Sequence, residues 1–156
     1  MELNDTHLLE ECEEFDFSNP PFDPVEYAQE LVKFMYDQGA LGVAANQVGC
    51  KYRVFAMRGN PENFVCYNPK IIQPSEEEIM LEEGCLSYPG LVVSIKRPQH
   101  IRVRFNTPNG DTLTKQFTGL TARIFQHEYQ HLEGGRFYDL ANKFHRDKAF
   151  KKWNKQ

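Results

Sequence analysis

The chain has 156 residues, of which 40% are hydrophobic and 13% aromatic, and its formal net charge is −4. This is enough apolar material for one folded domain over residues 1–156 and excludes a disordered segment. No apolar run approaches a membrane span and no basic stretch followed by an apolar one opens the chain, so neither a membrane protein nor a signal peptide is expected.

The charge is unevenly spread. Residues 1–16 hold seven acids and no Lys or Arg. After this opening, Asn19-Pro20-Pro21 precedes a helix predicted over about 24–38, with Asp23 as N-cap and Pro24 in the first turn. Val25, Leu31, Val32, Met35 and Tyr36 supply most of its apolar stripe. Next comes the glycine-bounded segment Gly42-Val43-Ala44-Ala45-Asn46-Gln47-Val48-Gly49. The middle of the chain reads as strands at Tyr52–Met57, Phe64–Cys66, Ile79–Leu81 and Leu91–Ile95. Ile101, Val103 and Phe105 alternate with Arg102, Arg104 and Asn106, the mark of a half-buried antiparallel strand. Asn109-Gly110 turns it back toward Leu113 and Phe117. A buried helix follows, with apolar Leu120, Ile124 and Phe125, stopping at Gly134-Gly135. Residues 143–156 form a short tail with six basic residues and one acid. As a helix it sets Lys148, Lys151, Lys152 and Lys155 opposite Ala149, Phe150 and Trp153.

The chemistry centres on His127-Glu128-Tyr129-Gln130-His131. Residues i and i+4 of a helix share a face, so His127 and His131 can reach one ion together. Glu128, offset by one residue, lies beside that face, placed to act on water without being a ligand. The alternative is an amphipathic helix with two incidental histidines, and a third ligand decides between them. Cys85 in Glu83-Gly84-Cys85-Leu86-Ser87 is the candidate: a thiolate is a soft ligand for a divalent transition metal, and Gly84 permits close backbone approach. Cys12, Cys50 and Cys66 have no such setting and read as inert buried thiols. Four unevenly spaced cysteines, one needed as thiolate, point to a reducing cytoplasm. In Gly42–Gly49, small residues let backbone amides approach a ligand and Gln47 offers a neutral donor. Taken alone, that segment reads as a tight helix-to-strand connection.

Together and in this order, Gly42 to Gln47, Glu83 to Ser87 and Gln126 to Leu132 resemble the peptide deformylase family. The likeness runs from about Asp5 to Leu140 and includes Tyr67 to Ile72 and Gly119 to Arg123. It implies an α+β fold, antiparallel β-sheets around a central metal-binding α-helix. Its implied reaction is metal-dependent removal of the formyl group from N-formylmethionyl nascent peptides, releasing formate. Cys85, His127 and His131 leave a fourth tetrahedral position open, which separates a catalytic ion from a structural one. The resemblance implies Fe(2+), with Zn(2+), Ni(2+) or Co(2+) as substitutes. Glu128 becomes the acid/base. The Leu86 backbone N–H and the Gln47 amide become the oxyanion donors. Gly42 and Gly84 bound a cramped site, and Leu41, Leu120 and Ile124 either wall a methionine pocket or belong to the ordinary core. In bacterial relatives a basic C-terminal helix meets the ribosome, so the tail is a candidate ribosome contact; neither membrane nor DNA is an expected partner.

Two departures stand out. The family's glycine two residues before Gly42 is Ala40, with a glycine displaced to Gly39. An alanine there is strained if the backbone needs positive φ. The aspartate usual before the second histidine is Gln130, which removes a charge near the ligands but no ligand.

Three rivals have their own signatures. A catalytically dead binding module would lack Glu128, Gln47 or a ligand, and none is missing. A zincin-type endopeptidase needs a third ligand downstream, where Glu133 is too close and His145 is the only histidine. A different N-acyl amide hydrolase would be separated by turnover of acetyl- against formyl-Met peptides.

Overall fold

In the computed structural model, which describes residues 1–156, the first regular element is helix α1, Pro24–Asp37. Its start is the expected one, with the Asp23 side chain accepting from the Val25 and Glu26 backbone N–H groups. Leu31 and Met35 of the expected stripe are buried, joined by Ala28 and Phe34, and Val32 packs partly buried against the same core. Val25 and Tyr36 are exposed. Tyr36 lies outside because its ring covers the Arg58 guanidinium and its hydroxyl donates to Asn63 Oδ1. α1 closes at Gly39, which takes φ +65, so the displaced glycine occupies the left-handed position and Ala40 is unstrained.

Seven strands follow: β1 Gly42–Ala44, β2 Val54–Met57, β3 Phe64–Pro74, β4 Glu78–Cys85, β5 Tyr88–Pro98, β6 His100–Asn106 and β7 Thr112–Thr118. β1, β2, β3, β6 and β7 pair antiparallel in that order, and β4 and β5 form a separate antiparallel hairpin. The glycine-bounded segment is therefore more than a connection: it contributes edge strand β1 and a 3-10 turn, Ala45–Gln47. β3 runs well past the expected Cys66 and tolerates Pro69 because a register shift lies between Tyr67 and Lys70.

Helix α2, Gly119–Leu132, lies on one face of the five-stranded sheet and α1 on the other. Phe55, Met57, Ile101, Val103, Phe105 and Phe117 meet Ala122, Ile124, Phe125 and Leu132 of α2. Across the sheet, Val43, Val54, Ala56 and Tyr67 meet Leu31 and Met35 of α1. This burial makes α2 a rigid, core-anchored platform. α2 ends where expected: Gly134 has φ +79, and an added Cβ would lie 2.9 Å from the Glu10 carbonyl carbon, a position only glycine fills. The acidic opening segment is thereby held against the end of α2, with the Cys12 N–H donating to the Leu132 carbonyl. Finally α3, Lys143–Trp153, rests on β5 through Ala149, Phe150 and Trp153. No helix is long and apolar enough to cross a membrane.

Candidate metal centre

Three of the predicted side chains converge. The ligand atoms of Cys85, at the end of β4, and of His127 and His131, on one face of α2, all lie within 4.8 Å of one another. Cys85 Sγ stands 3.2 Å from His131 Nε2. His145 is on α3, outside this cluster.

A buried ion-pair network, unforeseen in the sequence, holds the first histidine. Glu83 accepts from His127 Nδ1 at 2.8 Å, from Arg97 Nε at 2.6 Å and from Arg123 Nη1 at 2.6 Å. Anchoring Nδ1 leaves Nε2 of His127 for an ion, the usual way a carboxylate orients a metal-binding imidazole. Burial pushes the Glu83 carboxyl up, but His127 and Arg97 outweigh it and hold the pKa down at about 2. Arg97 also donates to Gln130 Oε1, whose amide donates in turn to the Arg136 carbonyl. The amide thus binds in both directions, and α2 continues undisturbed to Leu132. The sequence did carry one signal of the network: Arg123 stands one helical turn before His127.

The donor set suits a divalent transition ion. Burial, then the charge of His127, lowers the His131 pKa to about 3, so it is a neutral, ready ligand. At His127 burial acts downward, but hydrogen bonds to Cys85 and Glu83 prevail and raise the pKa to about 10. An arriving ion displaces that shared proton. Cys12, by contrast, is pushed up to about 12 by burial, in keeping with an inert thiol.

Glu128 is 3% exposed, and its Oε1 is buried without a hydrogen-bond partner. Burial raises its pKa to about 7. Gly42 makes room for it, since a Cβ there would lie 2.8 Å from Glu128 Oε2. Gln47 is clamped: Oε1 accepts from the Ala44 N–H at 2.9 Å, while Nε2 points toward Ser87 Oγ at 3.0 Å and Cys85 Sγ at 3.5 Å.

These groups line a cleft of about 390 Å³. Leu41, Gly42, Gln47, Gly84, Cys85, Leu86, Leu120, Ile124, His127 and Glu128 all border it, and His131 lies beneath. Leu41 and Leu120 are 51% and 58% exposed at its mouth and so are not ordinary core; Ile124, 7% exposed, is core as well as wall.

The ion-pair network has a measurable acid signature. The folded Glu83 pKa lies below its ordinary value of 4.5. Its contribution to stability is therefore full above about pH 4.5 and lost as pH falls through about 2. In metal-free protein, the gap in melting temperature between wild type and Glu83→Gln is expected to shrink over that interval. A gap independent of pH would count against this assignment.

Comparison with known proteins agrees with the architecture. The model of the family described as polypeptide deformylase matches residues 1–147. A peptide deformylase of Pseudothermotoga lettingae is 38% identical over 117 residues, 74% of this chain and 67% of that protein. One from Afipia carboxidovorans is 37% identical over 133 residues, 82% and 78% of the two chains. Among solved structures, an inhibitor complex of Arabidopsis thaliana peptide deformylase 1B superposes with a TM-score of 0.89 at 28% identity, covering 99% of this chain and 89% of that one. The Thermus thermophilus peptide deformylase also gives 0.89, at 27% identity, covering 97% and 89%.

Proposed function

This chain belongs to the peptide deformylase family, and from that membership we infer which of its residues carry the reaction. It is a hydrolase that removes the formyl group from N-formylmethionyl nascent peptides. Formyl amide and water become formate and a free amine. The family is metal-dependent, and Cys85, His127 and His131 would hold one divalent ion, for which we propose Fe(2+), with Zn(2+), Ni(2+) or Co(2+) as substitutes. When bound, such an ion supplies Lewis acidity, making water a nucleophile near neutral pH and polarising the formyl carbonyl.

The chain's own groups do the rest. Glu128 takes a proton from the attacking water and returns it to the departing amine; its free Oε1 and raised pKa, about 7, suit both transfers. The Gln47 Nε2–H and the Leu86 N–H donate to the oxyanion, each such donor being worth roughly 3–4 kcal/mol of barrier. Gly42 and Gly84 border the cleft where the formyl group would lie, and Leu41, Leu120 and Ile124 offer an apolar wall to the methionine side chain. Residues 1–156 act as one catalytic domain in a reducing cytoplasm. The observation carrying this reading is the unpartnered Glu128 carboxylate beside the Cys85, His127 and His131 cluster.

The test is anaerobic purification with metal analysis and assay of formyl-Met-Ala-Ser by formate release. Acetyl-Met-Ala-Ser is expected to turn over at least about 100-fold more slowly, because the space beside Gly42 is already taken by the Glu128 carboxylate and the Ile124 side chain. Equal rates would replace this reading with a general N-acyl amide hydrolase.

We further propose that the tail contacts ribosomal RNA. Ala149, Phe150 and Trp153 pack inward, leaving Lys148, Lys151 and Lys152 of α3, and Lys155 just beyond it, exposed. Reversing all four to Glu is expected to weaken ribosome binding in sedimentation assays without changing turnover of a free tripeptide. Wild-type binding should fall with salt, each phosphate contact adding about 0.7–0.9 to the log–log slope. Unchanged, salt-insensitive binding by the reversed variant would exclude the tail.

A further inference from the structure

Asn46, the residue before Gln47 in the 3-10 turn, is fully buried and does not border the cleft. Its Nδ2 donates to the His131 backbone carbonyl at 2.6 Å and reaches the Leu8 carbonyl at 3.3 Å. The other end of the amide, Oδ1, is a buried acceptor with no partner, and His131 Nδ1 is likewise buried and unpartnered. His131 turns Nε2 toward Cys85 Sγ. A neutral imidazole that ligates through Nε2 carries its proton on Nδ1, which makes that atom a donor. An orphan acceptor and an orphan donor thus sit on two residues already in direct contact.

We propose that Asn46 is a positioning residue of the metal centre, holding His131 from two sides. Nδ2 anchors its backbone at the last turn of α2, and Oδ1 accepts the Nδ1–H through one buried water. Such waters characteristically link buried polar groups that find no protein partner. Fixing the ring plane and tautomer slows loss of the ion. Because Gln47 is the next residue, the same anchor sets the spacing between a ligand and the proposed oxyanion donor. Alanine at this position keeps neither hold. Aspartate keeps an acceptor but not the donor. The proposal rests on the reading of His131 as a ligand.

The experiment compares zinc-loaded wild type, Asn46→Ala and Asn46→Asp for metal release to a chromophoric chelator. Thermal midpoints of the metal-free proteins, kcat and KM are measured beside it. Asn46→Ala is expected to release zinc about 10–100-fold faster, with kcat reduced and KM unchanged. Asn46→Asp is expected to lose thermal stability to a similar extent, because it too lacks the donor, yet to stay within about threefold of wild type in zinc release. If both variants release zinc equally fast, in step with their thermal midpoints, Asn46 only caps the helix and the proposal fails. Should the variants not fold, zinc-loaded wild type labelled with 15N-histidine decides: an exchange-protected His131 Nδ1–H resonance is required, and its absence overturns the proposal. Wild type that binds no zinc would instead overturn the metal reading itself.

Discussion

Glu128→Ala is expected to lower kcat about 10²- to 10⁴-fold while metal content and fold stay unchanged. The side chain ligates nothing in the proposed arrangement, so its loss leaves Cys85, His127 and His131 in place. What disappears is the group placed to carry a proton between water and the amine. Stability moves the other way. A carboxyl whose folded pKa is raised to about 7 disfavours folding at any higher pH, because its charged form is poorly accommodated. In metal-free protein at pH 8 the variant is therefore expected to melt no lower than wild type. Steady-state kinetics with formate detection, metal analysis and calorimetry check the three parts. Near-normal turnover would require a different base; a large fall in melting temperature would show that Glu128 is structural.

Cys85→Ala is expected to abolish ion binding, from about one ion per chain to almost none, and with it all turnover. The thiolate is the only anionic member of the proposed set, and the two imidazoles left on α2 form a weak neutral pair. The fold should persist, since Cys85 is only half-buried and contributes one small side chain to the cluster under α3. Elemental analysis of protein purified without oxygen, with circular dichroism as control, makes the test. Retention of a stoichiometric ion by the variant would sink the three-ligand assignment.

The His127 and His131 pair was legible in the sequence because helical spacing is local, and Cys85 because glycine and a strand end flank it. The network around Glu83 was not. Arg97 shares the inward face of β5 with Leu91, Val93 and Ile95 by two-residue alternation, and Arg123 stands one turn before His127, but that both meet Glu83 is set by tertiary packing across 14 and 40 residues. β1 was hidden for a similar reason, since its small residues show little strand character and its partner, β2, is chosen by tertiary pairing. On α1 the centre of the stripe, Leu31 and Met35, was legible, but Val25 and Tyr36 are exposed and Ala28 and Phe34 are buried in their place, Tyr36 lying outside over the Arg58 guanidinium. The exposure of Leu41 and Leu120 could not be read from residue type, which favours the interior for both.

The separations along the chain between the converging groups have a kinetic consequence. Gln47 and Cys85 lie 38 residues apart, and Cys85 and His131 lie 46 apart. Only the histidine pair is local, so a nascent α2 can offer two imidazoles at once, while the thiolate and the Gln47 amide arrive only when long loops have closed. Such closures carry the entropic cost that slows topologies rich in distant contacts. Tight ion capture therefore belongs to the latest stage of folding, and the rate at which refolding chains take up metal measures completion of the whole topology rather than formation of the helix that carries the motif.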